Sequence, residues 1–199
     1  QLVLHGGVVS WAGRGAVLVG SSGAGKSTLT AYLGLRGWTI GGDDGAVLVP
    51  THPPTAEPTY ATLRLTAVSA DLLGLVPPAV GSAVAGKLRF AGSGDGGGLG
   101  VFRQEPVDLH LVALVEPELS GDTPTFEPLG GIAAHAELFG STFHADFSRH
   151  SLLPAVIDGL AGVVERTTVG RLRVPRGLAG LAGAEQILRQ LLDGDGDGR

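Results

Sequence analysis

Cysteine is absent from the 199 residues, and so is methionine. The first absence excludes disulfides, a thiolate nucleophile and cysteine-ligated metal. The second leaves no initiator, so the chain is expected to begin inside a longer gene product. Positive charge is also in short supply: 14 Lys and Arg face 19 Asp and Glu, giving a net charge of -5. The basic footprint of a nucleic-acid binder is therefore missing, and no nucleic acid is expected as a partner. No apolar run approaches the roughly 20 residues that cross a bilayer, and Gln1-Leu2-Val3-Leu4 lacks the charged start and the length of a signal peptide. These absences point to a cytoplasmic protein with no membrane contact.

What is present in quantity is glycine, at 34 residues, and apolar side chains, at 43% of the chain against 17% charged. That balance suits one globular domain with a sizeable core, expected over residues 1-192. Gly92-Ser93-Gly94-Asp95-Gly96-Gly97-Gly98 reads as a surface loop. The repeat Asp193-Gly194-Asp195-Gly196-Asp197-Gly198 resembles a calcium loop but lacks the closing Glu, so residues 193-199 are expected to form a disordered tail.

Short apolar runs at Leu2–His5, Val8–Trp11 and Ala16–Val19 predict strands, the last of them buried. Ser27 to Arg36 carries apolar residues at helical spacing, with Gly37 as its C-terminal cap. Trp38-Thr39-Ile40 and Ala46–Val49 predict two more strands around Gly41-Gly42-Asp43-Asp44-Gly45, which places an acidic pair at a turn. The Pro-rich residues 50-58 predict a loop, Thr62–Leu65 an extended segment, and Ala67–Leu75 a short helix ahead of Pro77-Pro78. Val107–Val115 is the strongest later strand, and the final third predicts helices over 132-139, 152-164 and 178-192 with a strand at Val169–Val174.

Between the third strand and the first helix stands Gly20-Ser21-Ser22-Gly23-Ala24-Gly25-Lys26-Ser27, followed by Thr28. This is the G-x-x-x-x-G-K-[ST] pattern of a phosphate-binding loop. Its glycines let successive backbone N–H groups converge on phosphate oxygens, and the helix N-terminus behind them adds partial positive charge. Lys26 is expected to reach the β- and γ-phosphates of ATP, and the Ser27 hydroxyl to ligate Mg²⁺. Triphosphate binding does not choose a reaction, so the nearby groups matter. His5, Asp43 and Asp44 are the candidates: a carboxylate beside the metal either accepts a proton from a substrate hydroxyl or holds the metal. Adjacent residues in an extended segment point to opposite sides, so the two Asp are expected to divide these roles.

Leu4-His5-Gly6, the phosphate loop, Arg36-Gly37-Trp38 and Asp43-Asp44 together resemble, in order and spacing, the catalytic core of the HPr kinase/phosphorylase family over roughly the first 50 residues. The resemblance implies a fold like that of phosphoenolpyruvate carboxykinase, α/β with a P-loop set against a mixed central sheet and C-terminal helices. It implies a cytoplasmic kinase that uses ATP and Mg²⁺ to phosphorylate a serine hydroxyl on a protein or peptide partner, and assembly as a homo-oligomer. His5, Lys26 and Asp44 match the family's catalytic His, phosphate-loop Lys and proton acceptor. Ser27 matches its metal-binding hydroxyl, and Asp43 then assists the metal or orients Asp44. Thr28 departs from the pattern, standing where the bifunctional enzymes carry an acid, and their glycine-rich segment with a metal-binding Glu is missing, which argues against a reverse phosphorolysis.

Arg64 and Arg103 are candidates for a phosphate contact or for plain surface charge, and Glu116 is a candidate Walker-B-like carboxylate. His110, His135, His144 and His150 form no compact ligand pair except His144 with His150, and each is expected to be structural or solvated. Two other functions remain on the same residues: a kinase of small hydroxyl compounds, and a nucleotide-sensing module or transport-type ATPase. For the transport reading, Leu119-Ser120-Gly121-Asp122 only faintly follows a transporter signature and lies after the Walker-B-like strand.

Overall fold

A computed structural model of the chain describes residues 1-76, 86-91, 99-142 and 153-194. The glycine-rich segment 92-98, Pro77-Pro78, His144, His150 and residues 195-199 of the expected tail lie outside the described residues.

The first two strands, β1 (Leu2–Leu4) and β2 (Gly6–Trp11), are separated only by His5. β3 (Arg14–Val19) returns antiparallel to β2 and leads through residues 20-25 into helix α1 (Lys26–Leu35), which Arg36 caps and Gly37 leaves at φ 89°. β4 (Thr39–Gly42) and β5 (Ala46–Val49) follow, separated only by residues 43-45. Although consecutive, they do not pair with each other: β4 lies beside β2, and β5 beside β1. Two bent chain segments therefore run side by side, and the bends coincide at His5 and Asp43-Asp44-Gly45. Because β5 continues through β6 (Thr55–Glu57) to β9 (Val107–Pro117), and β2 continues through β3 to the same β9, the sheet curls back towards itself at this corner.

β9 is the hub. It lies parallel to β3 on one side, while its other side meets β6 at Val107 and Asp108 and then β11 (Thr168–Val174) from Leu111 onwards. β10 (Thr125–Pro128) closes the edge against β11. Alternation along β3 and, beyond a register shift at Leu109–Leu111, along β9 splits the core in two. Ala16, Leu18, Leu111, Ala113 and Val115 face α1 and α5 (Leu178–Gly194), with Leu29, Leu33, Leu181 and Leu188 packed on them. Val17, Val19, Val112 and Leu114 face the opposite way, towards α3 (Gly131–Gly140) and α4 (Leu153–Val164). Burying this much aliphatic surface on both faces contributes on the order of 25 cal/mol per Å² removed from water.

A separate two-stranded sheet, β7 (Thr62–Thr66) with β8 (Lys87–Ala91), packs Leu63, Leu65 and Phe90 against Ala31 of α1 and Ala70 of the short helix α2 (Ala67–Leu72). Most expected elements are found, with three additions. The Pro-rich loop at 50-58 contains β6, because Thr55 and Ala56 find ladder partners in both β5 and β9. β8 and β10 are likewise strands that a partner supplies, being too short to show a period of their own. Helix α2 stops at Leu72, short of the expected Leu75, and α5 runs on to Gly194, two residues into the segment expected as a tail.

Candidate functional site

The loop between β3 and α1 has the backbone that a phosphate cradle needs. Gly20, Gly23 and Gly25 adopt φ of 140°, 83° and 99°, a region that L side chains rarely enter. At Gly20 the constraint is doubled, since a Cβ would stand 2.5 Å from the Val115 carbonyl of β9. Gly25 is the N-cap of α1 and has no side chain to satisfy the first-turn N–H groups, so these stay directed into the loop. Ser21, Ser22 and Ala24 complete the turn, and the Ala24 N–H donates to the Ser21 carbonyl at 3.2 Å.

Lys26 curls back over this loop. Its Nζ donates to the carbonyls of Gly20 at 2.8 Å and Ser21 at 2.9 Å, and the residue is buried. Burial pulls the ammonium below the usual lysine range, nearby Lys87 acts in the same direction, and Asp43 and Asp44 oppose the shift. Thr28, one turn into α1, is hydrogen-bonded through its hydroxyl to Ser69 of α2 at 2.8 Å.

The corner of the sheet brings the remaining candidates to the same cleft. His5, between β1 and β2, donates from Nδ1 to the Asp44 carbonyl at 3.1 Å, and its own N–H donates to Ser141 at 2.8 Å. Asp43 is buried, with only 4% of its surface exposed, and its Oδ2 accepts from the Arg64 backbone N–H at 3.0 Å. Its other oxygen, Oδ1, is buried without a partner. Burial pushes the Asp43 carboxyl above the usual carboxylate range, against the pull of hydrogen bonds from the Arg64 amide and the Ser27 hydroxyl. Asp43 and Asp44 sit in a bend between β4 and β5 rather than in an extended strand, and the half-exposed Asp44 carboxylate meets the Arg64 guanidinium at 3.0 Å. His5, Lys26, Ser27, Thr28, Asp44 and Arg64 all wall one cavity of about 260 Å³. Around the Asp pair this cavity opens into a wider groove of about 950 Å³ that reaches Tyr60 and Arg89.

No family model matches the chain. No curated protein matches it either. Among solved structures, the HPr(Ser) kinase/phosphatase from Coxiella burnetii overlays on it with a TM-score of 0.50, covering 98% of this chain and 100% of that one at 13% sequence identity. The two share a fold. The relationship to the HPr kinase/phosphatase is distant, and at this identity it speaks to the α/β scaffold and its mixed sheet alone.

Within that scaffold the secondary candidates separate. Arg64, ambiguous in the sequence, belongs to the cleft and joins both Asp residues, one through its backbone and one through its side chain. Arg103 does not: its guanidinium holds the carbonyls of Glu105 at 2.7 Å and Pro106 at 3.0 Å in its own loop. Glu116, next to last in β9, lies beside the phosphate loop, but its carboxylate is engaged by Arg171 at 3.4 Å and Arg173 at 3.5 Å. His135 bonds the Ile157 carbonyl at 3.1 Å, a structural role. Sequence reasoning did not single out Ser69 or Lys87, both of which line the cleft; neither belongs to a motif, and only the packing of α2 and β8 against α1 brings them there.

Mg²⁺ fits the arrangement. No cluster of three His, Asp or Glu is found among the described residues, yet a phosphate-loop magnesium needs only one or two protein oxygens besides phosphate. The Asp43 carboxylate, with Oδ1 unpartnered and the Ser27 hydroxyl within its reach, is such a donor set.

Proposed function

We propose that this chain is an ATP-dependent kinase that transfers the γ-phosphoryl group to a serine hydroxyl of a protein or peptide. The observation that carries the reading is that the phosphate loop and Asp44 wall one cleft, with His5 bonded to the Asp44 carbonyl. In this reading residues 1-192 act as one kinase domain. Backbone N–H groups of residues 21-27 receive the phosphates, and Lys26 exchanges its loop carbonyls for phosphate oxygens. Ser27 and Asp43 hold Mg²⁺, which when bound neutralises charge on the phosphates.

Asp44 takes the proton. Its carboxylate lies on the open side of the corner, where an acceptor hydroxyl entering from the wide groove can reach it. The hydroxyl oxygen bonds the γ-phosphorus as the bond to the β-phosphate oxygen breaks, the hydroxyl proton passes to Asp44, and ADP leaves. Arg64 holds the Asp44 carboxylate in place through its guanidinium. His5, by donating from Nδ1 to the Asp44 carbonyl, fixes the backbone that carries the base. The groove beyond Asp44, about 950 Å³ and open to solvent, has room for a peptide acceptor. A cytoplasmic location and a homo-oligomer belong to the same proposal. Among the described residues no helix is long and apolar enough to cross a membrane, and Ile132 of α3 stands 91% exposed where a second copy could pack.

The test is transfer of label from γ-labelled ATP with Mg²⁺ into serine peptides and into protein. Asp44→Asn is expected to keep nucleotide affinity and to lose about 10²- to 10⁴-fold in the transfer step. Undiminished transfer by Asp44→Asn would remove Asp44 from the base role, and label found only in small molecules would replace the peptide acceptor with a metabolite.

A further inference from the structure

The β7–β8 ribbon places Arg64 directly opposite Arg89, and Thr66 opposite Lys87. Leu63, Leu65 and Phe90 turn into the core, so the three cations lie on the outward face. Two guanidinium groups directly opposed on one face of a ribbon repel each other unless anionic charge offsets them. Arg64 has such a partner in Asp44. Among the described residues, no carboxylate forms a salt bridge with Arg89 or Lys87, although Lys87 acts at longer range on the buried Asp43. Lys87 and Arg64 wall the phosphate cleft, so a triphosphate accounts for their charge. Arg89 does not line that cleft. It lines the wide groove, together with Asp44 and the exposed ring of Tyr60. In a chain of net charge -5, this is a local concentration of positive charge that the nucleotide does not explain.

We propose that Arg89, flanked by Lys87, forms a subsite for carboxylates of the acceptor, so that the substrate is an acidic peptide segment whose serine reaches Asp44. The proposal rests on the kinase reading of the same groove and adds the chemical class of its acceptor. The rest of the molecular surface, with its acidic excess, repels such a peptide, so that binding is confined to this groove and weakens with salt.

The experiment measures binding of short fluorescein-labelled serine peptides to the full chain with MgADP present, by anisotropy at low salt. One peptide carries Asp and Glu around the serine; its counterpart carries Lys at the same positions. The acidic peptide is expected to bind in preference. Arg89→Glu should weaken it by about tenfold and improve the Lys-flanked peptide, a reversal that loss of structure does not produce. Arg89→Gln should fall between, and MgADP affinity should stay at the wild-type value in both variants. Equal binding of the two peptides, or an acidic preference untouched by Arg89→Glu, overturns the subsite. Selective binding with the expected reversal but without label transfer leaves the subsite standing and sinks the kinase reading instead.

Discussion

Asp43 and Lys26 are both driven towards their neutral forms by burial, from opposite ends of the pH scale. For Asp43 the folded protein holds the carboxyl proton more tightly than the unfolded chain does. Stability is therefore lost as pH rises from the ordinary value of 3.8, and the loss is complete above the raised folded value. Lys26, lowered from 10.5, holds its proton less tightly when folded, so stability is lost as pH falls from 10.5 through its folded value. The nucleotide-free protein at neutral pH thus carries a cost for charge inside the cleft, the common signature of a site shaped for a ligand. Asp43→Asn is expected to raise the melting temperature of the nucleotide-free protein above the acid range, and to abolish the gain in nucleotide affinity on adding Mg²⁺. Wild-type Mg²⁺-dependent affinity should itself rise with pH across the same window, because a protonated Asp43 cannot ligate the metal. Thermal melts and nucleotide titrations between about pH 4 and pH 8 check both, and a Mg²⁺ response retained by Asp43→Asn would assign the metal elsewhere.

At the scale of elements, β3, the glycine loop and α1 were legible in the sequence because each obeys a local rule: an apolar run, glycines where φ turns positive, then helical spacing from Ser27, one residue after the observed start of α1. Gly20 illustrates how a local rule acquires a tertiary reason. Its φ alone favours glycine, and the Val115 carbonyl forbids anything larger. Gly20→Ala is therefore expected to lose nucleotide binding outright, whereas Gly25→Ala, strained in φ but open around its Cβ, should fold with a cost of about 1–2 kcal/mol and weakened binding. Titration with a fluorescent ATP analogue separates the two.

The sequence showed less where partners decide. The strands β6, β8 and β10 have too few residues for a period, and Arg64 is an unremarkable strand residue until Asp44 is set beside it. Glu185 is another such case. Buried on α5, it receives the Trp38 indole N–H at 3.4 Å, Arg36 at 3.4 Å and Arg189 at 2.6 Å, while Arg189 also stacks 3.7 Å from the centre of the Trp11 ring. This network ties α5 to the C-terminal end of α1. Glu185→Ala is expected to cost about 2 kcal/mol in urea unfolding, with Glu185→Gln losing less because it can still accept from Trp38.

For the whole molecule, the acidic pair and His5 were visible as residues, but their meeting depends on how the sheet curls. Nothing local to residues 39-49 indicates that β4 and β5 join different neighbours, since that outcome is set by β9 reaching β6 on one side and β3 on the other. The position of β9 as common neighbour has a consequence for synthesis. Val17 of the phosphate-loop strand pairs in parallel with Val112, and Val112 in turn with Val169. While the ribosome has released only the N-terminal half, β2 can pair with β3 and β4, but β3 has no β9 on its other side, so the strand that carries the phosphate loop is an open edge and its apolar faces lack their cover. Nascent chains arrested before Val107 are accordingly expected to pass through an ATP resin, and retention should begin only once residues beyond β11 have emerged. The first motif to be translated would be among the last to become competent.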